Sequence, residues 1–198
     1  TYTRHPLGFL IAARVGRKDP TLRVGVISPE AAPHTPLGTL ELPKGALGIP
    51  TLASKATVMA LAVVVDAERG AADRGAADRL MLARATPTAL PTSAEALSVF
   101  GVAPVQLSSP ALSGLGAEGF ALSWTQGVAE ERRVKLLVLD DELRPRGEPF
   151  DLESPEVSQR GVINGGLFWA NERLLALYYL RRPEGYSLWA NEITCDEH

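Results

Sequence analysis

Apolar and polar residues alternate along this chain in short runs that come in pairs. "LGFLIAARV" (7–15) is followed, after a charged break, by "TLRVGVIS" (21–28). The same couple returns as "TVMALAVVVD" (57–66) with "RLMLARAT" (79–86), and as "GFALSWTQ" (119–126) with "VKLLVLDD" (134–141). It returns once more as "RLLALYYLR" (173–181) with "YSLWANEIT" (186–194). A period of two puts every second side chain on one face of a strand, and a polar or Gly-containing break is what an antiparallel hairpin needs. The first members of the four couples start 50, 62 and 54 residues apart. An interval of that size, kept along the chain, marks a structural repeat.

Shorter segments complete the unit. "PLGTLEL" (36–42), "SAEALSVF" (93–100) and "GEPFDLE" (147–153) follow the second strands, and "GIPTLAS" (48–54), "APVQLSSPAL" (103–112) and "GVINGGLFWA" (161–170) lead into the next couple. Thr92 and Glu95 have the spacing of a helix capping box, so 93–100 has a helical alternative, but the repeat predicts a strand there. Four short strands in about 50 residues, with Gly and Pro at the junctions, is the pattern of a β-propeller blade. The expectation is an all-β chain forming one domain over 1–198, a β-propeller or part of one. It would hold about three and a half to four four-stranded blades, with repeats at approximately 7–54, 57–112, 119–170 and 173–198. The pattern shows 14 strands: the first copy lacks its innermost strand and the last its outer one. Either residues 1–6 supply the missing inner strand of a small four-bladed ring, or another polypeptide completes a larger one. The absent first strand and the missing initiator Met favour the second reading, with this chain a mature or cut product.

Composition narrows the field. At 198 residues and 45% apolar content the chain can bury a substantial core, and no apolar run approaches the roughly 20 residues of a membrane-spanning helix. Twenty basic and 23 acidic residues give a net charge of −3 without a strong basic cluster, so nucleic acid is not an expected partner. The charge is uneven: 11 basic and 8 acidic groups in 1–100 (+3), against 9 and 15 in 101–198 (−6). Arginine outnumbers lysine 16 to 4 and alanine is abundant, which is the coding bias of a GC-rich bacterial genome. The single cysteine, Cys195, rules out an internal disulfide framework but could bridge to another chain.

The apparent chemical motifs mostly dissolve. "GLGAEG" (114–119) matches G-x-G-x-x-G, but that loop cradles a pyrophosphate only where it opens a helix, and here the strand-like "FALSWT" follows. Thr1 could be an N-terminal nucleophile only on a layered scaffold containing helices, which the pattern lacks. Asp140, Asp141 and Glu142 lack the ligand spacing of a calcium loop and read as a solvated hairpin turn. His5, His34 and His198 form no two-imidazole pair, and no nucleophile elbow, P-loop or C-x-x-C occurs. No catalytic residue, metal ligand or cofactor is assigned. Aromatic residues gather late in the chain, at Trp124, Phe168, Trp169, Tyr178, Tyr179, Tyr186 and Trp189. Adjacent ones such as Tyr178 and Tyr179 must face opposite sides of a strand, so some of them fill space between blades. Trp124, Trp169, Tyr186, Trp189 and Cys195 are the candidate interaction residues.

The copies "GFALSWTQ…VKLLVLDDELRPRGEPFDL" and "LGFLIAARV…LRVGVISPE…LGTLEL" resemble the degenerate blades of bacterial secreted or envelope β-propeller proteins, in strand pattern and in Gly-aromatic starts followed by a Leu-Asp turn. That resemblance implies a noncatalytic scaffold or binding subunit of a bacterial envelope or extracellular assembly. It would work outside the cytoplasm (periplasm, outer membrane surface or secreted), beside another polypeptide that completes the ring or a multiprotein assembly. The alternative is a carbohydrate-binding or carbohydrate-active propeller.

The long second interval contains "ERGAADRGAADR" (68–79), where Arg-Gly-Ala-Ala-Asp occurs twice in tandem. Lengthening a surface hairpin tip costs little closure entropy. Deleting one pentapeptide should therefore leave the midpoint of thermal unfolding nearly unchanged, and a large drop in scanning calorimetry would count against the blade assignment.

Overall fold

Period-two runs with Gly at their ends build antiparallel hairpins, and the computed structural model shows four sheets of them. It describes residues 1–16, 20–29, 37–66, 78–98, 106–128, 131–152 and 162–194. The first sheet holds β1 (Tyr2–His5), β2 (Gly8–Val15), β3 (Thr21–Ile27) and β4 (Gly38–Leu40) in that order. In the second, β5 (Ala46–Leu47) and β6 (Thr51–Lys55) pair in turn along one edge of β7 (Val58–Asp66), followed by β8 (Arg79–Ala85) and β9 (Glu95–Ala96). The third runs β10 (Leu107–Gly114), β11 (Phe120–Gln126), β12 (Arg133–Leu139) and β13 (Phe150–Asp151). The fourth has three strands, β14 (Val162–Ala170), β15 (Arg173–Arg182) and β16 (Gly185–Ile193). Every element among the described residues is a strand, and the architecture is that of β-propeller blades, as the repeat predicts. No helix among the described residues is long and apolar enough to cross a membrane.

Two strands escaped the sequence pattern, the short β5 (Ala46–Leu47) and β1. The first blade does have an inner strand: β1 pairs with β2 from Tyr2 opposite Ile11 to His5 opposite Gly8. "YTRH" carries almost no apolar signal, because one side of this sheet is exposed. At the capping-box segment, Glu95 and Ala96 pair with Leu82 and Met81, and the Leu97 N–H donates to the Leu80 carbonyl. Ladder bonds to a strand already in place outcompete a single isolated helical turn.

Burial explains why "VMALAVVVD" reads as nearly continuous apolar residues. On β7, Val58, Ala60, Ala62 and Val64 pack toward the third sheet, against Phe120, Leu122, Trp124 and Leu137. Met59, Leu61, Val63 and Val65 pack toward the first, against Leu10, Leu22, Val24 and Val26. A third core sets Ala121, Val134 and Leu136 of the third sheet against Leu174, Ala176, Tyr178 and Leu180 of the fourth. Three cores thus join four sheets in succession. The remaining face of the first sheet and that of the fourth carry exposed large apolar side chains, Tyr2, Phe9 and Val15 at one end and Phe168, Tyr179 and Leu188 at the other.

The Gly-aromatic starts of the second strands have a steric cause. Gly8 and Gly119 have φ of +138° and +105°, and a Cβ on either would stand 2.1 Å from a backbone carbonyl oxygen of the neighbouring strand, that of Ile27 or Leu139. Only glycine allows that approach. Polar ties reinforce the apolar joints. Lys55 Nζ bonds Asp141 Oδ1 at 2.6 Å and the Ala117 carbonyl at 2.8 Å, and Arg84 Nε donates to the Asp141 carbonyl at 2.8 Å. The acidic turn expected to be merely solvated therefore clasps the second sheet to the third. Its own backbone is held by Asp140, whose Oδ1 accepts from the N–H groups of Glu142 and Arg144.

Adjacent residues of β11 should respond oppositely to truncation. Trp124 is fully buried, so Trp124→Ala should cost about 3–5 kcal/mol in denaturant unfolding. Ser123 is equally buried and its Oγ has no hydrogen-bond partner, so Ser123→Ala should leave stability unchanged or raise it by about 1 kcal/mol.

Candidate ligand site beside the inner strands

Successive inner strands β1, β6, β10 and β14 touch one another in turn, and the last three border a cleft of about 510 Å³. Irregular backbone shapes it. The pairing of β10 with β11 shifts register between Ser108 and Ala111, where Ser109 takes a φ of +50°, and that of β14 with β15 shifts between Asn164 and Gly166. Bulges of this kind turn side chains out of the ladder and are concentrated near functional sites. Ser108, Ser109 and Asn164 all line the cleft, with Asp66 at the end of β7.

Asn164 is the most constrained of these groups. It is 6% exposed; its N–H donates to Thr125 Oγ1 at 2.7 Å, and its Nδ2 donates to the Ser109 carbonyl at 2.7 Å. That second bond fixes the amide so that Oδ1 is the remaining atom, and Oδ1 has no partner. Buried acceptors are almost always satisfied. Among the described residues that line the cleft, Asp66 is the charged one. Asp78, on the opposite arm of the same hairpin, is buried, and its Oδ2 accepts from the Leu107 N–H at 2.9 Å. Val65 pairs with Arg79, so Asp66 and Asp78 are the next residues outward on the two arms. The wall is thus rich in acceptors and acidic, suited to a ligand that donates hydrogen bonds. Among the described residues no group of three or more His, Cys, Asp or Glu gathers as metal ligands.

The residues singled out from sequence lie elsewhere. Trp124 is a core residue, its Nε1 donating to Gln126 Oε1 at 3.3 Å. Trp169 is half-buried against the third core, with its indole over the Gly116 turn. Tyr186 is exposed on β16. Trp189 donates from Nε1 to Ser187 Oγ at 2.9 Å and lies 5.8 Å from the Arg182 guanidinium. Cys195 falls outside the described residues. "GLGAEG" is the turn between β10 and β11, and the Thr1 amine donates to the Ala12 carbonyl at 3.0 Å. Asp66, Asp78 and Asn164 went unnoticed. The available signals were an aspartate shortly before the tandem insertion and another closing it, and Asn-Gly-Gly interrupting an apolar strand, a bulge signature.

No protein-family model matches the sequence, and no curated protein matches it. A solved structure does: an exo-1,5-alpha-L-arabinanase from a bovine ruminal metagenomic library aligns over 96% of this chain and 69% of its own, with a TM-score of 0.51 and 13% identity. At that identity the likeness bears on fold alone, and it agrees with the β-propeller. It also corrects the functional expectation. A noncatalytic scaffold was inferred from degenerate blades and missing motifs, yet the protein matched over nearly the whole chain is an enzyme. The noncatalytic scaffold and the expectation of no enzymatic activity are withdrawn on that finding. The physical reason is that residues far apart in sequence meet in the fold without leaving a contiguous motif, as Asn164 and Ser109 do here.

Asp78 has a structural duty that can be measured. Asp78→Ala leaves the buried Leu107 N–H without its acceptor and should lower stability by about 1–3 kcal/mol. Asp78→Asn keeps an acceptor and should lose much less in the same urea titration.

Proposed function

We propose that this chain is part of a carbohydrate-active propeller that binds a neutral saccharide in the cleft beside β6, β10 and β14. The observation that carries this reading is the cleft itself, shaped by the bulges at Ser109 and Asn164 and lined by polar groups with Asp66. Sugar hydroxyls both donate and accept hydrogen bonds, which suits the Ser108 and Ser109 hydroxyls and the Asp66 carboxylate in its wall. Glycosidic bond cleavage needs two carboxyl groups dividing acid from base or nucleophile. Asp66 and Asp78, each one step beyond the Val65–Arg79 pair on the two arms of the hairpin, are the carboxyl groups assigned to this pair. Asp66, in the cleft, would meet the sugar, and Asp78 would complete the pair from the opposite arm. An extracytoplasmic, bacterial setting, where polysaccharide is met, fits this role.

The first probes are short α-1,5-linked L-arabinose oligosaccharides, the linkage named for the matched structure, beside oligogalacturonates of equal length. Calorimetric titration should show binding of the neutral sugars and not of the acidic ones. Asn164→Ala should weaken it about tenfold, the equivalent of one net hydrogen bond. Reducing-end release should stop in Asp66→Asn while binding persists. Failure of every neutral saccharide to bind, or a preference for the uronates, overturns the proposal.

A further inference from the structure

Five non-glycine residues among those described have a positive φ: Ala56, Ser109, Leu143, Asn171 and Glu172. Four of them sit in turns between strands, where the chain has to reverse. Ser109 lies inside a strand, as the third residue of β10, and no reversal accounts for its φ of +50°. Pro110 follows it, and a proline ring drives the residue before it toward extended backbone. Ser109 also carries a Cβ in a region that glycine enters without cost. The surroundings hold this conformation from several sides. Two residues back, the Leu107 N–H donates to Asp78 Oδ2 of the second sheet at 2.9 Å, and Leu107 and Ser108 pair with Gln126 and Thr125 of β11. The Ser109 carbonyl accepts from Asn164 Nδ2 of the fourth sheet at 2.7 Å. Strained backbone persists where its neighbours over-determine it, and it clusters at ligand sites.

We propose that Ser109 is a specificity-determining contact of the cleft, its hydroxyl bonding one ring hydroxyl of the bound saccharide, and that the strain is kept because a straight strand would turn that hydroxyl away. The inference rests on the saccharide reading of the cleft and names a residue that selects the sugar. In a regular strand, adjacent side chains face opposite sides. Here the register shift between Ser108 and Ala111 lets Ser108 and Ser109, though adjacent, both line the cleft. Re-aiming a side chain is what a bulge does. Ser109 is exposed, and its hydroxyl bonds no described residue. A hydroxyl donates and accepts at once, so it matches a sugar hydroxyl in either sense. A site that offers such a partner rejects an analogue lacking the matching hydroxyl more strongly than an apolar pocket would. The ties from Asp78 and Asn164 hold the residue in place before ligand arrives, so little ordering remains to oppose binding.

Two variants of the full chain test this, with an α-1,5-linked L-arabinose trisaccharide as the probe in calorimetric titration and thermal unfolding read beside it. Ser109→Ala keeps the Cβ, and with it the strain, and removes only the hydroxyl. Affinity should fall about tenfold while the unfolding midpoint stays where it was. Ser109→Gly removes the hydroxyl and relieves the strain, so the same loss of affinity should come with a midpoint raised by about 2 °C. Stability and affinity moving in opposite directions is what a strained residue kept for its ligand produces, and a merely structural serine does not. Parent-like affinity in Ser109→Ala overturns the inference, even where Ser109→Gly binds weakly, because the loss then belongs to the backbone. A lowered midpoint in Ser109→Gly overturns it as well, since the side chain would then be supporting the bulge. In both cases continued weakening by Asn164→Ala leaves the cleft reading standing without Ser109. A parent chain that binds no neutral saccharide brings down both.

Discussion

Burial of both faces of a sheet is the constraint on which this molecule depends. An ordinary antiparallel sheet keeps one side wet and alternates accordingly. Here β7 carries apolar side chains on both sides, so the second sheet serves as a wall shared by two cores. β11 does the same one step along, giving Phe120 and Leu122 to one core and Ala121 to the next. The second and third sheets are each gripped from two directions, which fixes them against their neighbours. The inner strands are therefore held beside one another, and the cleft between them is a by-product of that grip.

How much of this was legible in sequence depended on what each residue does. The second and third strands of every blade are long, apolar and flanked by turns, so pattern alone located them to within a residue or two. The first strand, "YTRH", is in sequence only the less favoured of two alternatives, because its side chains answer to an exposed sheet and nothing in its composition betrays the ladder it completes with β2. The candidate ligand cleft was less legible still. Asn164 matters because a serine carbonyl 55 positions away turns its amide, and Asp78 because it caps a backbone N–H at residue 107. Such long-range pairings have no periodicity. The tryptophans attracted attention by their chemistry, yet Trp124 is enclosed, because large rings are the most effective filler between packed sheets.

The cleft and the cores make opposite uses of the same strands. Where β10 and β14 keep regular pairing, their side chains fill the spaces between sheets. Where each slips register by a bulge, at Ser109 and at Asn164, the ladder is given up over a few residues, and polar groups reach a cavity instead of a neighbour. The two bulges belong to adjacent blades and meet through the Asn164–Ser109 bond. Irregularity on one inner strand is thereby locked to irregularity on the next, which keeps the wall rigid without apolar packing.

The glycine before each aromatic residue at the head of β2 and β11 has a use beyond this chain. At those points a neighbouring carbonyl occupies the space where any other residue would put its Cβ. The requirement belongs to the backbone of the hairpin and not to the contents of the core. Blades can therefore exchange nearly every side chain as repeats diverge, while the Gly-aromatic pair stays as a phase marker for where a blade's second strand begins. In chains whose repeats have drifted past recognition by apolar pattern, the interval between such pairs offers an independent measure of blade length.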